Sequence, residues 1–489
     1  LFRSTQANII FNTGGGALIL LPALEDTKAR VEALSNQYTE LLYKKFNTDL
    51  TFVYSIEKCD EKELETFKID KAISLKANLD KVKNQKFTSM MDKDDFYFES
   101  GDEKEVCSLC GTALTDGNIC ETCNQIEKIS GFYTSHENIC LIYDYSHREL
   151  KLESNSQLID FGLCQLWLVN AADAKRLTAY DYIESLNEPF AGNTRYVANL
   201  VPKAKNNREI GLNFAEIAEN LVSKEMGSKK LAILKMDVDN LGAVFAFGLS
   251  NKEEGKDLVN ARSLSKFLTL SRLIEIFFSI KLKEICLDVS AKINPNISKL
   301  TSNGNMFYIN YAGGDDLVIV GPVYGIVELA KEINKKFCEF TNNENITISG
   351  GIYIQNPKEP IRFGVKEAET YLSASKQVEE KNGLTLLGVT VPFPEYEELL
   401  NEVHKYVNWI NTGKISRTTF YNLMTLINTK DYDLFEHRIP LILYTLSRNV
   451  DYEIMNILKI RIAEIKDNET LNKLVLGMKL TVLFTRKDG

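Results

Sequence analysis

The stretch INYAGGDDLVIVGP, residues 309–322, sets two glycines and two aspartates between two short apolar runs. A tight hairpin turn needs glycine and often takes one Asp or Asn. It does not need two adjacent carboxylates, whose charges repel and call for a counter-charge. The apolar runs on either side read as strands. Ahead of them, LAILKMDVD (231–239) is an apolar run ending in acids, the pattern of a buried strand. In ARSLSKFLTLSRLIEIFFSIKL (261–282), Leu264, Phe267, Leu268, Ser271, Ile274, Phe277 and Phe278 share one helical face. VYGIVELAKEINKKFCEF (323–340) is a second amphipathic helix, ITISGGIYI (346–354) a final strand, and a further helix is expected over 365–380. The order βαββαβ is that of a ferredoxin-like unit.

The N-terminus has a similar texture. ANIIFNTGGGALILLPA (7–23) aligns with FYINYAGGDDLVIVGPV (307–323), Gly14 and Gly15 meeting Gly313 and Gly314, and Gly16 and Ala17 meeting the two aspartates. A charged amphipathic helix (24–46) and an apolar strand, LTFVYSI (50–56), are expected to follow, which gives β-β-α-β. This reads as a second, degenerate copy lacking its first strand and helix. The expected organisation is a first copy over 1–95, a four-cysteine insert over 96–130, mixed strands and helices over 131–205, the second copy over 206–390, and a helical region over 391–489.

Composition narrows the class. Of 489 residues, 44% are apolar and 26% charged, ordinary globular material. No apolar stretch approaches the ~18 residues of a membrane helix, and no secretory signal pattern opens the chain. The chain opens on Leu1, which reads as a piece of a longer protein or one whose start is missing. A net charge of −9 argues against a surface coated by nucleic acid, while leaving room for a local basic groove. Nine cysteines with two CxxC pairs fit a reducing cytoplasm and a metal site. Cys107, Cys110, Cys120 and Cys123 have the spacing of two zinc knuckles, a closed and therefore structural tetrathiolate site. Iron remains an alternative. Cys140 and Cys164 read as core residues, and His136, His147, His404 and His437 are isolated, each a surface or packing residue.

The chemistry gathers on the acids. Asp237 ends the first strand and Asp315 and Asp316 sit in the turn. Strand one is expected beside the strand leading into the hairpin, which would bring all three to one end of the sheet. Three converging carboxylates require divalent cations, and oxygen ligands select Mg²⁺ or Mn²⁺. The metal-holding set is Asp237, Val238, Asp315 and Asp316. Two ions roughly 3.5–4 Å apart can activate a 3′-hydroxyl and stabilise leaving pyrophosphate. Gly313 and Gly314 permit positive φ and clear space for a triphosphate. Lys376, and more weakly Lys381, are candidate phosphate partners. Ser349, before two glycines, is a candidate for reading a base edge or, equally, a small residue packed under a helix.

Taken in order, LKMDVDNLG, LSKFLTLSRLIEIFF, YAGGDDLVIVGP, ISGGIYI, the degenerate NTGGGALILLP and the four-cysteine insert resemble the large subunit of type III CRISPR effector complexes, in its type III-A (Csm) version. The resemblance implies an α+β protein with two ferredoxin-like palm domains of the GGDEF/polymerase type, a zinc-ribbon-like insert and a C-terminal helical domain lining the RNA path. It implies target-RNA-activated synthesis of cyclic oligoadenylate from ATP, with Asp237, Asp315 and Asp316 holding two Mg²⁺ or Mn²⁺ ions. Gly313 and Gly314 would take the donor triphosphate, and Gly14 and Gly15 would help seat a second ATP. The partners implied are guide RNA, target RNA, a RAMP-type subunit binding the guide 5′ end and a small helical subunit. The family usually begins with an HD domain that cleaves single-stranded DNA. That domain has no counterpart here, so a DNase role gains no support. Two rivals stand beside this reading: a diguanylate-cyclase-like enzyme, and a non-catalytic RNA–protein scaffold.

Overall fold

The computed structural model describes residues 8–486 apart from 14–15, 47, 49, 67–68, 92–105, 110, 112–116, 137, 151, 153–155, 163, 179, 190–192, 208–209, 222–226, 246–262, 379–380 and 430. Contacts group the chain into two units, Leu1–Val197 with Gly242–Ile276, and Ala198–Leu241 with Phe277–Gly489.

The first unit opens with the antiparallel hairpin β1 (Ile9–Thr13) and β2 (Gly16–Ile19), Thr13 lying opposite Gly16. Helices α1 (Thr27–Phe46), α2 (Glu61–Thr66) and α3 (Ile69–Lys83) follow. The strand expected over 50–56 does not form; residues 50–60 carry neither helix nor strand. A strand exists only through a hydrogen-bonded neighbour, and β1 and β2 pair with each other alone. The likeness between the two copies therefore extends to hairpin and helix, and among the described residues no ferredoxin-like sheet is built here. Gly14 and Gly15 lie outside the described residues.

Beyond α4 (Glu121–Ser135), strands β3 (Ile139–Asp144), β4 (Gln157–Asp160), β5 (Gln165–Asn170), β6 (Tyr182–Leu186) and β7 (Thr194–Arg195) form a sheet of order β4-β5-β3-β6-β7, with the short α5 (Ala171–Ala174) after β5. Cys140, Ile142 and Val169 are wholly buried in its core, and Cys164 is nearly so, as expected of packing thiols.

In the second unit, α6 (Phe214–Asn220) starts on a capping box between Asn213 and Glu216 and precedes β8 (Leu231–Val238). The chain then passes through α7 (Leu241–Ala243) and α8 (Leu264–Ile276), the latter grouped with the first unit. The helix expected over 261–282 continues past its end: a π-helical turn, Phe277–Lys281, joins α8 to α9 (Leu282–Ile293). After α10 (Ile297–Leu300) come β9 (Tyr308–Gly313), β10 (Asp316–Pro322), α11 (Val323–Thr341), β11 (Ile348–Gln355), α12 (Ile361–Ser375), β12 (Gly383–Leu386) and β13 (Val389–Pro392). The sheet order is β13-β12-β11-β8-β10-β9. Its last four members have the ferredoxin-like order expected from the sequence. One detail differs. The neighbour of β8 is β10, the strand leaving the GGDD hairpin, not the strand entering it. The entering strand, β9, is the edge, because a hairpin places only one of its two arms beside a third strand.

Both faces of β8 are covered. Leu231, Ile233 and, on the opposite face, Ala232, Leu234 and Met236 are wholly buried, which is why this strand is a continuous apolar run rather than an alternating one. Helix α11 packs with α9 and lies across β8, β10 and β11; α12 lies against β8 and β11. The face under α12 is that of Ile233, Lys235 and Asp237, since a Cβ on Gly364 would strike Ile233. Close approach of α12 is permitted by Gly351, where a Cβ would lie 2.4 Å from both the Ala368 carbonyl oxygen and the Leu372 nitrogen.

Five helices complete the unit: α13 (Phe393–Asn411), α14 (Arg417–Ile427), α15 (Tyr432–Asn449), α16 (Tyr452–Ala463) and α17 (Asn468–Thr485), around a core including Tyr406, Trp409, Phe420, Phe435 and Leu471. The Tyr396 hydroxyl donates to the Val327 carbonyl at 3.1 Å, and His404 Nε2 lies 2.7 Å from Glu328 Oε1. His404 is thus a satisfied packing histidine. Burial pushes the Glu328 carboxyl up, but His404 and Lys331 outweigh it and hold the group below its ordinary range.

Gly351→Ala is expected to push α12 off the sheet and destabilise the protein by about 1–3 kcal/mol. Gly350→Ala, which meets only the flexible Leu384 and Met236 side chains as its nearest neighbours, is expected to cost less. Thermal unfolding of both variants checks the difference.

Candidate active site

The register of three strands builds the site. Asp316 stands directly opposite Asp237, Ser349 stands opposite Asp237 on its other side, and Gly313 stands opposite Asp316. Cross-strand partners share a sheet face, with Cα atoms about 4.5–5.5 Å apart. Between Gly313 and Asp316 only two residues turn the chain, Gly314 and Asp315. Gly314 has φ +67°, the requirement that a two-residue hairpin places on its first position. Gly313 is not left-handed, and a Cβ there would meet nothing nearer than the Tyr311 hydroxyl at 3.6 Å. The turn thus requires Gly314 but not Gly313. The Val238 amide donates to the Asp315 carbonyl at 3.0 Å and locks the turn onto the end of β8.

The carboxylates are brought to one end of the sheet without closing into a triangle. Among the described residues, only Cys107, Cys120 and Cys123 form a group of three metal-binding side chains whose ligand atoms all lie within 4.8 Å of one another. The Asp237 carboxylate is ion-paired with Lys376, which caps the C-terminus of α12. One residue pair further along the same face, Lys235 is ion-paired with Glu369. Burial raises the Asp315 carboxyl above its ordinary range. Asp316 is raised by burial and by the charge of Asp315, with Lys235 and the Tyr311 hydroxyl pulling the other way. Burial, followed by the ammoniums of Lys381 and Lys235, pushes Lys376 down to about 8. Both turn acids therefore resist ionisation, the condition a divalent cation relieves. An all-oxygen donor set of this kind fits Mg²⁺ or Mn²⁺.

Ser349 is wholly buried, and its hydroxyl donates to Asp239 Oδ2 at 2.9 Å, which accords with the packed alternative of its two readings. Asp239 itself is the site residue that spacing concealed. It is 1% exposed, and its Oδ2 also accepts from Thr347 Oγ1 at 2.8 Å and from the Asn382 amide at 3.2 Å. It ties the ends of β8 and β11 to the segment following α12. Lys381, on that segment, donates to Asn240 Oδ1 at an exposed position. Sequence reasoning also passed over Lys235, Glu369 and Tyr311. The one available signal was a lone lysine inside the apolar run LAILKMDV.

At the cysteine insert, Cys107 is buried and Cys120 and Cys123 are half-buried. The Cys120 amide donates to Cys107 Sγ at 3.3 Å and the Cys123 amide to Cys120 Sγ at 3.4 Å, the second of these capping α4. Thiols gathered in this way and supplied with amide donors suit a thiophilic metal. Cys110 lies outside the described residues.

Known proteins carry the same features. The family described as Cas10/Cmr2, second palm domain, matches residues 230–385, and that described as Csm1 subunit domain B matches residues 2–99. Together they span more than half of the chain. The chain belongs to the Cas10/Csm1 family, the large subunits of type III-A CRISPR systems. It is 24% identical over 457 residues to a Mycobacterium tuberculosis protein named CRISPR system single-strand-specific deoxyribonuclease Cas10/Csm1 (subtype III-A), covering 87% of this chain and 54% of that protein. A Methanocaldococcus jannaschii protein of the same name is 36% identical over 166 residues, 34% of this chain and 19% of its own length. The chain thus spans about half the length, or less, of these curated relatives. In fold it resembles Csm1 in a crystal structure of the apo Csm1-Csm4 cassette, with TM-score 0.70, 17% identity, and coverage of 98% of this chain and 63% of that one. The cassette in complex with cA4 gives TM-score 0.68 at 17% identity and the same coverage. Among the described residues no helix is long and apolar enough to cross a membrane.

The raised turn acids predict a stability cost. A carboxyl whose folded pKa lies above its unfolded value stabilises the fold at low pH and loses that contribution as pH rises through the folded pKa. At neutral pH without divalent cations, Asp315→Asn with Asp316→Asn is therefore expected to raise the melting temperature. Added Mn²⁺ is expected to stabilise only the unsubstituted protein. Calorimetry with and without Mn²⁺ checks both.

Proposed function

We propose that the second unit is a nucleotidyltransferase active site that joins ATP into cyclic oligoadenylate, within a type III-A effector complex that is switched on by target RNA. The observation that carries this reading is the pairing of Asp237 with Asp316 across β8 and β10, with Asp315 in the adjoining turn. Two strands and a two-residue hairpin hold three acids at the edge of an otherwise apolar sheet. Family membership supports the reading, as do solved relatives described in complex with AMPPNP, pppApApA and cA4.

In this proposal Asp237 and Asp315 hold two divalent cations, with Asp316 completing the shell and the Val238 carbonyl available beside them. Such ions, when bound, lower the pKa of an attacking 3′-hydroxyl and neutralise charge developing on the α-phosphate. The chain's own residues do the rest. Gly314 makes the turn and Gly313 leaves it bare of a side chain, so a triphosphate can lie against the backbone. Lys376 and Lys381 are placed to take up phosphate charge. Asp239 fixes the segment that carries Lys381. No protein general base is required, since the cations make the hydroxyl acidic. Gly14 and Gly15 of the first hairpin are proposed to help seat the second ATP. The partners proposed are guide and target RNA, a RAMP-type subunit such as the Csm4 of the solved cassettes, and a small helical subunit. The cytoplasm is the proposed location.

The cysteine insert is proposed as a structural zinc site completed by Cys110, with every position taken by protein and none left for substrate.

Two experiments test these assignments. With the assembled complex, target RNA, ATP and Mn²⁺, Asp315→Ala with Asp316→Ala is expected to lower oligoadenylate output by ~10²-fold or more. Full output from that variant would remove the assignment, and consumption of GTP in preference to ATP would favour a diguanylate-cyclase-like enzyme instead. For the insert, the purified protein is expected to release one zinc equivalent per chain on thiol modification. Cys120→Ser is expected to retain less zinc and to melt at lower temperature, as read by metal analysis and calorimetry.

A further inference from the structure

Two ion pairs cross between β8 and α12. On the strand, Lys235 and Asp237 are two residues apart and share a face. On the helix, Glu369 and Lys376 are seven residues apart, two turns along the same side. Lys235 meets Glu369 and Asp237 meets Lys376. The signs alternate in both elements, so each charge is matched only in this alignment. The outer pair is the more open, with Glu369 half exposed. At the inner pair the Lys376 and Asp237 side chains are 29% and 23% exposed. Asp237 is also the acid that stands opposite Asp316.

One carboxylate is therefore claimed twice, by an ammonium in this structure and by a cation in the proposed mechanism. We propose that Lys376 is the resident counter-ion of the site, displaced from Asp237 when a divalent cation binds and thereby freed to engage a nucleotide phosphate. This rests on the nucleotidyltransferase reading and adds a coupling to it. Two features favour displacement over simple competition. Lys376 carries its ammonium at the C-terminus of α12 on a flexible four-carbon stem, which can swing away from Asp237 while the helix stays in place. Glu369 and Lys235 hold α12 in place while Lys376 moves, so the ammonium stays within reach of the same cleft. Cation and nucleotide then help each other bind: the cation releases the lysine that the phosphate needs, and the phosphate removes the competitor the cation faces.

The test uses the full chain and two calorimetric titrations, Mn²⁺ alone and AMPPNP in the presence of Mn²⁺. Lys376→Met is expected to tighten Mn²⁺ binding without nucleotide about two- to fivefold, the size of a partly exposed ion pair. It is expected to weaken AMPPNP binding roughly tenfold, the size of a lost charge-assisted contact. Lys376→Gln should behave alike and serves if the methionine variant folds poorly. A lysine that merely supported the fold would weaken both titrations together. If Mn²⁺ binding to the unsubstituted protein depends on Asp237 but is unchanged or weaker in both Lys376 variants, the counter-ion role is wrong and the metal assignment stands. If Asp237→Asn leaves Mn²⁺ binding unaltered, the metal assignment fails and the counter-ion role fails with it.

Discussion

The antiparallel pairing of β8 with β10 is the constraint on which the site depends. Its register sets Asp237 opposite Asp316, and a slip of one residue would turn one of them to the other face of the sheet. The Val238 amide, donating to the Asp315 carbonyl, helps to hold that register at the strand's end. The register is otherwise fixed by the burial of Leu231, Ile233, Leu234, Met236, Leu317, Ile319 and Val320, all wholly enclosed. The apolar strands thus position the acids, and they do so from both sides, with α11 and α12 laid on β8. Charge enters at Lys235, paired with Glu369, and at the strand's end, where the sheet gives out.

This division explains what could be read in advance. The second unit's βαββαβ order was legible because each element carries its own period: a continuous apolar run for β8, and for α11 a stripe through Ile326, Ala330, Ile333 and Phe337. The strand expected over 50–56 was apolar too, yet apolar content alone does not supply a neighbour to pair with. The added strands β12 and β13 were equally silent, being four residues each, with β12 paired to β11 and β13 to β12. Which arm of the GGDD hairpin meets β8 is likewise a property of the assembled sheet, and local pattern reads the same for either arm.

The site was legible in part, and for a related reason. Acids at the ends of apolar strands are conspicuous, so Asp237, Asp315 and Asp316 could be named from spacing, and the register brings their backbones together. The cysteine spacing was informative in the same way, and Cys107, Cys120 and Cys123 do meet. What spacing could not supply was the matching of side chains across more than a hundred residues. Ser349 looked available because two glycines follow it. Those glycines make room for a helix and a neighbouring strand, and the hydroxyl is spent on Asp239. Asp239 in turn joins three segments. Lys376 was visible as a cation near the acids, but its partner was not.

The arrangement of charge has a consequence for how the site is held ready. Asp315 and Asp316 are raised by burial, which means that the fold bears a cost for keeping them ionised side by side. Asp237 is spared that cost by Lys376, and Lys235 by Glu369. Uncompensated charge is thereby confined to the hairpin turn. Concentrating it there has a physical advantage. The turn lies at the end of the sheet, where both acids are half-buried, and the Val238 amide holds it to β8 through the Asp315 carbonyl. The ladder's apolar face meanwhile keeps water from screening the acids from behind. Under the proposed metal assignment a cation would meet the two turn acids, while Asp237 would first have to give up its lysine.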